Sequence, residues 1–297
     1  MIHALLIVNP AAGRGAGRRV LERVARAFRA QGWAVDAVRT ERPGHGAELA
    51  ARAAAAGVTR IVAVGGDGTV HEVANGLVAA RSDAALGVVP IGSGNDFAKL
   101  LGTYRHGLAR AVARVATSRP ARFDVGYAAG EYFVNSMGLG FGPAVVRLRN
   151  RTSSLAGFLS YLVPVVRAFV GFEPPLLEVR AAEHTERGNM MMIEVCNGTT
   201  AGGSYRFAPG ADPADGRLDV CVVRRLGLPR FLLAIPRVMR GTHTTMKEVV
   251  LFQTSEVVVR SPGAPLLLHL DGELRQPGAT ECRVTLAPGR LTVLVAQ

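Results

Sequence analysis

The sequence predicts an α/β plus β protein, with an N-terminal doubly wound parallel α/β domain and a C-terminal β-sandwich domain. Up to residue 120, short apolar runs alternate with helical patterns, as in parallel sheets covered by helices. Three of these runs end in glycine-containing loops. Further along, strand-like runs separated by Gly and Pro turns dominate, which favours a sandwich. We place the boundary near residue 125.

Composition limits the classes of partner. The 297 residues are 48% hydrophobic and 20% charged, as in an ordinary soluble globular protein. The formal net charge of +12 indicates anionic partners such as membrane lipid or a phosphorylated substrate. The alternative is that a GC-rich genome raises the Arg and Ala content, which explains much of this charge. The basic residues are dispersed and are not interleaved with aromatic ones, so we expect no nucleic-acid partner.

The cysteines and the apolar segments point to a cytoplasmic protein. Cys196, Cys221 and Cys282 lie in apolar contexts without metal-ligand spacing, which predicts small core residues in a reducing compartment. The N-terminus lacks the pattern of a signal peptide. The longest apolar segment, residues 155–172, is short and is interrupted by polar residues and a proline, so we expect no membrane span.

The first strand, residues 4–8, leads into a glycine-rich loop and then into a helical pattern over residues 20–30. Ligands of open α/β sheets bind at the carboxyl ends of the strands, where this loop lies. Its spacing matches neither the Walker A motif nor G-x-G-x-x-G. A plain connecting loop is therefore the alternative at this point.

After a strand over residues 33–39 and a helix over residues 46–57, the apolar run 60–64 enters Gly65-Gly66-Asp67-Gly68-Thr69 and a helix that reaches residue 80. Glycines let a backbone approach a ligand closely, and a helix N-terminus suits a phosphate. Thr69 is a candidate cap for that helix. An acid beside phosphate suggests Mg²⁺ between them, whereas the alternative is a tight turn with a solvated Asp67.

A fourth strand, residues 86–90, ends in another loop of small residues that contains Asp96. The ends of parallel strands meet at one edge of the sheet, so Asn9, Asp67 and Asp96 are expected to converge there. This convergence favours a phosphate and metal site over three unrelated loops.

The second half contains many predicted strands and two predicted helices. We expect a loop at residues 138–143, a helix at 155–170 that Pro164 kinks or breaks, and a helix at 229–240. The predicted strands are residues 121–128, 132–136, 176–182, 190–196, 217–223, 249–252, 256–260, 266–270, 282–286 and 291–295.

Two acidic segments in this half are candidate sites. Residues 212–219 form either a small oxygen-ligand metal loop or a Pro/Gly turn. Asp271-Gly272 is a strong hairpin signal, but residues 276–279 supply a better turn nearby, so Asp271 and Glu273 become candidates for a general base. His269 precedes them, and a histidine in such a place is more often packed or solvated than catalytic.

Together these loops resemble the catalytic-domain family of diacylglycerol kinases and related lipid kinases, in its bacterial form. Sphingosine, ceramide and NAD kinases share parts of the pattern, so the superfamily is indicated more firmly than the substrate. The matching motifs follow one another over almost the whole chain, at residues 8–10, 65–70, 72–76, 90–98, 123–126, 212–219 and 270–273.

The resemblance implies an α/β nucleotide domain, a β-sandwich over residues 126–287, ATP at the cleft between them, and residues 288–297 as a strand that returns to the first domain. It implies phosphoryl transfer from ATP, with Mg²⁺, to the hydroxyl of diacylglycerol or a related lipid alcohol. The resemblance also implies which residues surround ATP. They are Asn9, Pro10, Ala11, Ala12, Gly13, Thr40, Gly66, Asp67, Gly68, Thr69, Val70, His71, Glu72, Ser93 and Asn95.

The resemblance also implies ligands for metals and a base. Asp67 and Asp96, together with Asp124, would hold Mg²⁺ through water. A second, structural Mg²⁺ would bind Asp215 and the carbonyls of Asp212 and Arg217. Asp271 or Glu273 would accept the proton of the lipid hydroxyl, and the pattern does not choose between them.

Three departures from the family pattern leave open which lipid alcohol accepts the phosphate. His71 stands where Asn is expected, Ala11-Ala12 replace the usual Ser or Thr before Gly13, and residues 151–154 lack the lysines of diacylglycerol-specific members. We expect a lipid alcohol substrate and peripheral contact with the inner face of the membrane, and a homodimer is an open alternative. The competing functions are an NAD kinase-like enzyme with a soluble substrate and a non-catalytic nucleotide- or lipid-binding protein.

Overall fold

The structure is a computed structural model that describes residues 2–104, 107–149 and 159–296. The chain divides into two compact units. The first unit contains the chain up to Val125, the segment Pro213–Gly216 and the chain from Ala287 onward. The second contains Gly126–Asp212 and Arg217–Leu286.

The first part of the chain alternates strands and helices, as the sequence predicts. In chain order these elements are β1 (Ile2–Val8), α1 (Ala12–Gly15), α2 (Gly17–Ala30), β2 (Trp33–Arg39), α3 (His45–Ala55), β3 (Arg60–Gly65), α4 (Asp67–Ala79), β4 (Ala85–Pro90), α5 (Asp96–Leu100), α6 (Leu108–Thr117) and β5 (Arg119–Ala128).

The remaining elements are mainly strands. They are β6 (Glu131–Phe133), β7 (Ser136–Gly140), α7 (Phe141–Arg149), α8 (Leu159–Val170), β8 (Leu176–Arg180), β9 (Thr185–Cys196), β10 (Leu218–Arg224), α9 (Leu228–Arg240), a 3₁₀ turn (His243–Thr245), β11 (Val249–Thr254), β12 (Glu256–Arg260), β13 (Leu268–Leu270), β14 (Glu273–Arg275) and β15 (Glu281–Val295).

The sheet of the first unit has the order β5-β15-β4-β3-β1-β2. Strands β2, β1, β3 and β4 are parallel to their neighbours, and Val293 of β15 pairs in parallel with Leu86 of β4. Helices cover this sheet because its central strands are apolar on both faces. Leu6 and Val8 belong to a core with α2 and α6, while Ile7, which points the other way, is also fully buried. The predicted doubly wound α/β fold is confirmed.

Helices α3 and α4 pack closely because of one glycine. A Cβ on Gly76 of α4 would lie 2.2 Å from the carbonyl oxygen of Ala47 in α3. Any larger residue would therefore push the two helices apart. This contact fixes α4, whose N-terminus follows directly after β3.

The second unit is a sandwich of antiparallel sheets. One sheet has the order β14-β13-β7-β9-β10-β11, and in the other β8 pairs with β12 and with the first half of β9. Strand β9 thus belongs to both sheets. Between them lies an apolar core that includes Phe133, Ile193 and Val259, all fully buried. The predicted β-sandwich is confirmed.

Helices cover the outer face of the sheet that contains β9 and β10. Phe141 of α7, Val165 of α8 and Phe231 of α9 form a second apolar cluster with Met192 and Cys221 of that sheet. Among the described residues, no helix is both long and apolar enough to cross a membrane.

The three cysteines are free and buried, so they are core residues, as predicted. Burial raises the pKa of the Cys221 thiol to about 12, and the nearby Glu194 charge adds to that shift. Burial also raises the pKa of Cys196 and Cys282. Thiols shifted in this direction stay protonated at neutral pH and are poor nucleophiles.

Two predicted boundaries in the second half are wrong. The expected loop at residues 138–143 is the end of β7 followed directly by α7. The expected strands 282–286 and 291–295 form one strand, β15, which continues through Pro288 and Gly289. The N–H of Gly289 finds an acceptor in the carboxylate of Asp124, so the strand need not end there. Helix α8 continues through Pro164, and residues 155–158 lie outside the described part of the chain.

Candidate functional site

Three loops meet at the carboxyl ends of the neighbouring strands β1, β3 and β4. A Cβ on Gly13 of the first loop would lie 2.3 Å from the carbonyl oxygen of Ile91 in the third. A Cβ on Gly92 would lie 2.5 Å from the Cα of Gly66 in the second. Only glycine fits such approaches, and the φ of +61° at Gly13 also favours it. The small residues of these loops therefore bring three backbones to one place.

Asn9 joins the first loop to the second. Its side-chain amide donates to Thr69 Oγ1 at 3.1 Å, and its Oδ1 accepts the N–H of Ala11 at 2.9 Å. Pro10 lies between Asn9 and Ala11 in the chain, and Ala12 and Gly13 begin the short helix α1. Thr69 is the third residue of α4 and caps nothing, so the expectation that it caps this helix is wrong. Its hydroxyl serves the contact with Asn9 instead.

Helix α4 begins at Asp67, directly after Gly66, and no side chain caps its first turn. Asp67, Gly68, Thr69 and Val70 make up that turn. The N–H groups of Thr69 and Val70 donate to the carbonyl of Gly66, at 3.0 and 3.1 Å, so it is the start of the turn and the partial positive charge of a 13-residue helix that favour an anion there.

Asp67 holds the third loop. Its Oδ2 accepts the N–H of Asn95 at 2.7 Å, and its Oδ1 accepts the N–H of Phe97 at 3.4 Å. Asn95 adopts a left-handed conformation with φ of 56°, and its own side chain bonds both backbone groups of Gly92. Asn95 thus shapes the loop, while the neighbouring Ser93 is exposed.

Asp67 and Asp96 both flank Gly94. A Cβ on Gly94 would lie 2.7 Å from Asp67 Oδ2 and 3.7 Å from Asp96 Oδ2. Two carboxylate oxygens therefore lie close to the position that a side chain of residue 94 would occupy. Among the described residues no cluster of three or more His, Cys, Asp or Glu forms a complete metal-ligand set. Two carboxylates with water as the other ligands suit Mg²⁺, which keeps several waters in proteins.

Glu72 fastens helix α3 to α4. Its two oxygens accept the N–H groups of Gly44 and Gly46, at 2.8 and 2.9 Å, at the start of α3. Two other candidates near it are buried: Thr40, whose N–H donates to Val8, and His71, whose carbonyl accepts the Asn75 side chain. Glu72 therefore has a structural role at a helix N-terminus.

Asp124 ties together three separate segments of the first unit. Its Oδ1 accepts the N–H of Gly289 at 2.6 Å, and its Oδ2 accepts the N–H of Gly216 at 2.8 Å. Its own N–H donates to the carbonyl of Pro213 at 2.7 Å. Both carboxylate oxygens of this buried residue thus accept backbone N–H groups, and its expected part in holding Mg²⁺ through water stays a prediction.

Replacement of Asp124 by alanine should lower the free energy of unfolding by about 1–3 kcal/mol, because two partly buried N–H groups, those of Gly216 and Gly289, lose their acceptor. Urea unfolding followed by circular dichroism measures this. Asp36→Ala, at an exposed carboxylate, is the matched control and should change little. If Asp124→Ala unfolds at the wild-type urea concentration, the three segments do not depend on this side chain.

The acidic segment 212–217 has exposed side chains at Asp212, Asp215 and Arg217, and Gly216 makes its turn with a φ of 75°. The hydrogen bond from the Gly216 N–H to Asp124 helps to hold this turn. The second magnesium site at Asp215 and the carbonyls of Asp212 and Arg217 stays a prediction.

Asp271 and Gly272 form the two-residue hairpin turn between β13 and β14. Both have positive φ, 50° and 87°, and Leu270 pairs with Glu273 across the turn. The expectation of a better turn at residues 276–279 is therefore wrong for this strand pair. Asp-Gly is the stronger signal because both residues tolerate the left-handed conformation.

The carboxylate of Asp271 is buried and fully engaged. Its Oδ1 accepts the N–H groups of Asn135 and Ser136 at 2.8 and 3.1 Å, and its Oδ2 accepts that of Val134 at 3.0 Å. Glu273, the first residue of β14, is exposed instead. Of the two candidate bases, Glu273 is thus the one whose side chain is accessible.

A second buried acid lies beside this hairpin and was missed by the sequence reasoning. His269, Gly138 and Glu194 are directly opposite one another on β13, β7 and β9. Because Gly138 has no side chain, His269 Nε2 comes within 3.4 Å of Glu194 Oε1, which also accepts the hydroxyl of Ser136 at 2.9 Å. A glutamate inside the apolar run 190–196 was the available signal.

The two halves of the chain match two family models. Residues 3–128 match the diacylglycerol kinase catalytic domain, and residues 135–295 match the YegS C-terminal NAD kinase beta sandwich-like domain. A diacylglycerol kinase of Bacillus subtilis is 28% identical over 92% of this chain and 90% of its own length.

A probable YegS-like lipid kinase of Pseudomonas fluorescens is 30% identical over 98% of this chain and 94% of its own length. The crystal structure of a putative diacylglycerol kinase from Bacillus anthracis superposes with a TM-score of 0.81, at 24% identity, over 99% of this chain and 97% of that one. At this identity, the likeness supports the fold.

Proposed function

Because the chain belongs to the diacylglycerol kinase catalytic-domain family of lipid kinases, we propose that it transfers the γ-phosphate of ATP to the hydroxyl of diacylglycerol or a related lipid alcohol. The observation that carries this proposal is a pair of carboxylates, Asp67 and Asp96, whose Oδ2 atoms both lie close to Gly94 where three glycine loops meet. Phosphoryl transfer depends on positioning and on charge neutralisation, and this place offers both.

Backbone N–H groups are the proposed phosphate ligands. The first turn of α4 lacks a capping side chain, and Gly66, Gly68 and Gly13 present backbone without a Cβ. The phosphate oxygens would accept hydrogen bonds from these groups, and the helix N-terminus would favour their negative charge. Asn9 and Asn95 contribute by holding the loops in this shape.

Asp67 and Asp96 are the proposed holders of Mg²⁺. A bound magnesium ion would supply positive charge that stabilises the transferring phosphoryl group. The hydrogen bonds from Asn95 and Phe97 keep Asp67 in place, and Lys99 does the same for Asp96, since its Nζ lies 3.1 Å from Asp96 Oδ1. We base the proposed site on this pair because the Oδ2 atoms of both residues lie close to Gly94.

Glu273 is the proposed general base that accepts the proton of the lipid hydroxyl. A general base must reach its substrate, and the exposed side chain of Glu273 permits this. Three backbone N–H groups donate to the Asp271 carboxylate, and these hydrogen bonds fix the hairpin on which Glu273 lies. Asp271 is thus a positioning residue in this proposal.

Transfer of labelled γ-phosphate from Mg-ATP tests the function. The acceptors are diacylglycerol, phosphatidylglycerol, a sphingoid base and a prenol in mixed micelles, with NAD as a soluble acceptor in a separate assay. We expect label in one or more lipids and none in NAD. Label in NAD alone would support a kinase of soluble substrates, and ATP binding without any transfer would support a non-catalytic protein.

A further inference from the structure

Helix α9 has an apolar face that the protein leaves uncovered. One side of the helix, with Phe231 and Ile235, packs into the cluster that covers the sandwich sheet. The other side exposes Leu228, Leu232 and Leu233, and Leu233 retains 65% of its accessible surface. Adjacent exposed leucines in a folded helix are unusual because the helix gains nothing by leaving them in water.

The charges on α9 are all of one sign. Arg230, Arg237 and Arg240 are exposed, and the 13-residue helix contains no acidic residue. Arg230 forms an ion pair with Glu248 at 3.1 Å, but neither Arg237 nor Arg240 has a carboxylate partner in the described part of the chain. The exposed leucines therefore lie beside two arginines whose charge is uncompensated.

The apolar surface continues beyond α9. Phe169 of α8 stacks on Phe231 with ring centroids 4.4 Å apart, which joins the end of α8 to α9. The next residue, Val170, is 78% exposed. Arg206 is exposed, and its N–H donates to the carbonyl of Val238, so one more arginine lies beside α9. We name the exposed residues Leu228, Leu232, Leu233, Arg237 and Arg240 the α9 face.

We infer that the α9 face binds the surface of an anionic lipid bilayer. This inference rests on the proposed function, because a kinase of lipid alcohols must meet its substrate at such a surface. A helix with leucines on one part of its exposed face and arginines on another lies flat in the boundary between headgroups and acyl chains. The unpaired arginines complement anionic headgroups, whereas an apolar protein partner would not require them.

Binding to vesicles tests the α9 face. Wild-type protein, Leu232→Ser/Leu233→Ser and Arg237→Gln/Arg240→Gln are sedimented with vesicles of phosphatidylcholine, with or without phosphatidylglycerol. The matched controls are Leu251→Ser, at an exposed leucine of β11, and Arg23→Gln/Arg26→Gln, at exposed arginines of α2. Thermal unfolding of each variant shows whether its fold is kept.

We expect the leucine variant to bind anionic vesicles at least about tenfold more weakly, because less apolar surface leaves water. The arginine variant should lose about fivefold or more, and only on vesicles that contain phosphatidylglycerol. The controls should bind like the wild type. Wild-type binding by a folded leucine variant would overturn the inference, as would a dimer that this variant dissociates, since the leucines would then be a subunit contact.

Kinase activity separates this inference from the proposed function. With a short-chain diacylglycerol dissolved as monomers, the α9 variants should transfer phosphate at the wild-type rate, because the α9 face is outside the proposed site. If the protein transfers phosphate to a lipid but the α9 variants bind vesicles like the wild type, the inference about the α9 face is wrong and the kinase proposal stands. If the α9 variants lose vesicle binding but the wild type transfers phosphate to no lipid, the kinase proposal is wrong and the inference about the α9 face stands.

Discussion

Glu273→Gln should slow phosphate transfer by about 10²–10⁴-fold, while the free energy of unfolding stays as in the wild type. The amide cannot accept the hydroxyl proton, so the chemical step loses its base. The side chain is exposed at the start of β14, and its removal leaves no buried group without a partner. Reduced activity with unchanged stability is therefore the result expected of a catalytic residue.

Asp271→Ala should show the opposite pattern, with a stability loss of about 3–6 kcal/mol, because the backbone N–H groups of Val134, Asn135 and Ser136 lose their acceptor. The φ of 50° adds to the cost, since alanine tolerates this conformation less well than Asp. Asp271→Asn keeps one acceptor oxygen and the tolerance for positive φ, so it should lose less.

Urea unfolding and initial rates of phosphate transfer on the same three variants separate these roles. Glu131→Gln is a suitable control, because it weakens the ion pair between Glu131 of β6 and Arg275 of β14 and leaves the Asp271-Gly272 turn intact. Wild-type activity in Glu273→Gln would remove Glu273 as the base. A folded but inactive Asp271→Asn, together with an active Glu273→Gln, would transfer that role to Asp271.

Asp67→Asn should lower phosphate transfer by about 10²–10³-fold and raise the Mg²⁺ concentration needed for half-maximal rate. The asparagine keeps an oxygen for the N–H of Asn95, at 2.7 Å in the wild type, so the loop should keep its shape. What it loses is the negative charge beside Gly94, which together with Asp96 is proposed to hold the metal.

Initial rates over a series of Mg²⁺ concentrations, with unfolding measured in parallel, check this prediction. Asp83→Asn removes an exposed carboxylate of the same unit, which pairs with Arg122, and should leave the rate and its Mg²⁺ dependence unchanged. A variant with normal Mg²⁺ dependence and a reduced rate would mean that Asp67 acts on the loop alone. The proposed metal site would then be wrong.

The sequence by itself predicted the architecture, because the period of apolar residues reports which faces are buried. The continuous apolar runs at β1, β3 and β4 indicated strands buried on both faces, and their order along the chain implied a parallel sheet. Glycines and acids directly after these strands were enough to place Asn9, Asp67 and Asp96 at one edge. The resemblance then indicated the family of lipid kinases, which the two matching family models support.

Local patterns failed where a distant partner decided the outcome. A proline and a glycine at residues 288–289 resemble the end of a strand, yet Asp124, far away in sequence, satisfies the freed N–H and β15 continues. A short loop was expected at residues 138–143 because glycines there resemble a turn, whereas Gly138 serves to make room for Glu194 and His269.

Only the tertiary structure decided what each acid does. Asp67 and Asp271 follow predicted strands and Asp124 lies inside one, and these positions do not reveal what each acid does. Remote backbone N–H groups donate to both oxygens of all three, so what sets Asp67 apart is a second carboxylate nearby, because the Oδ2 atoms of Asp67 and Asp96 both lie close to the Cβ position of Gly94. A carboxylate acquires its role from the donors that folding brings to it, and those donors are remote in sequence.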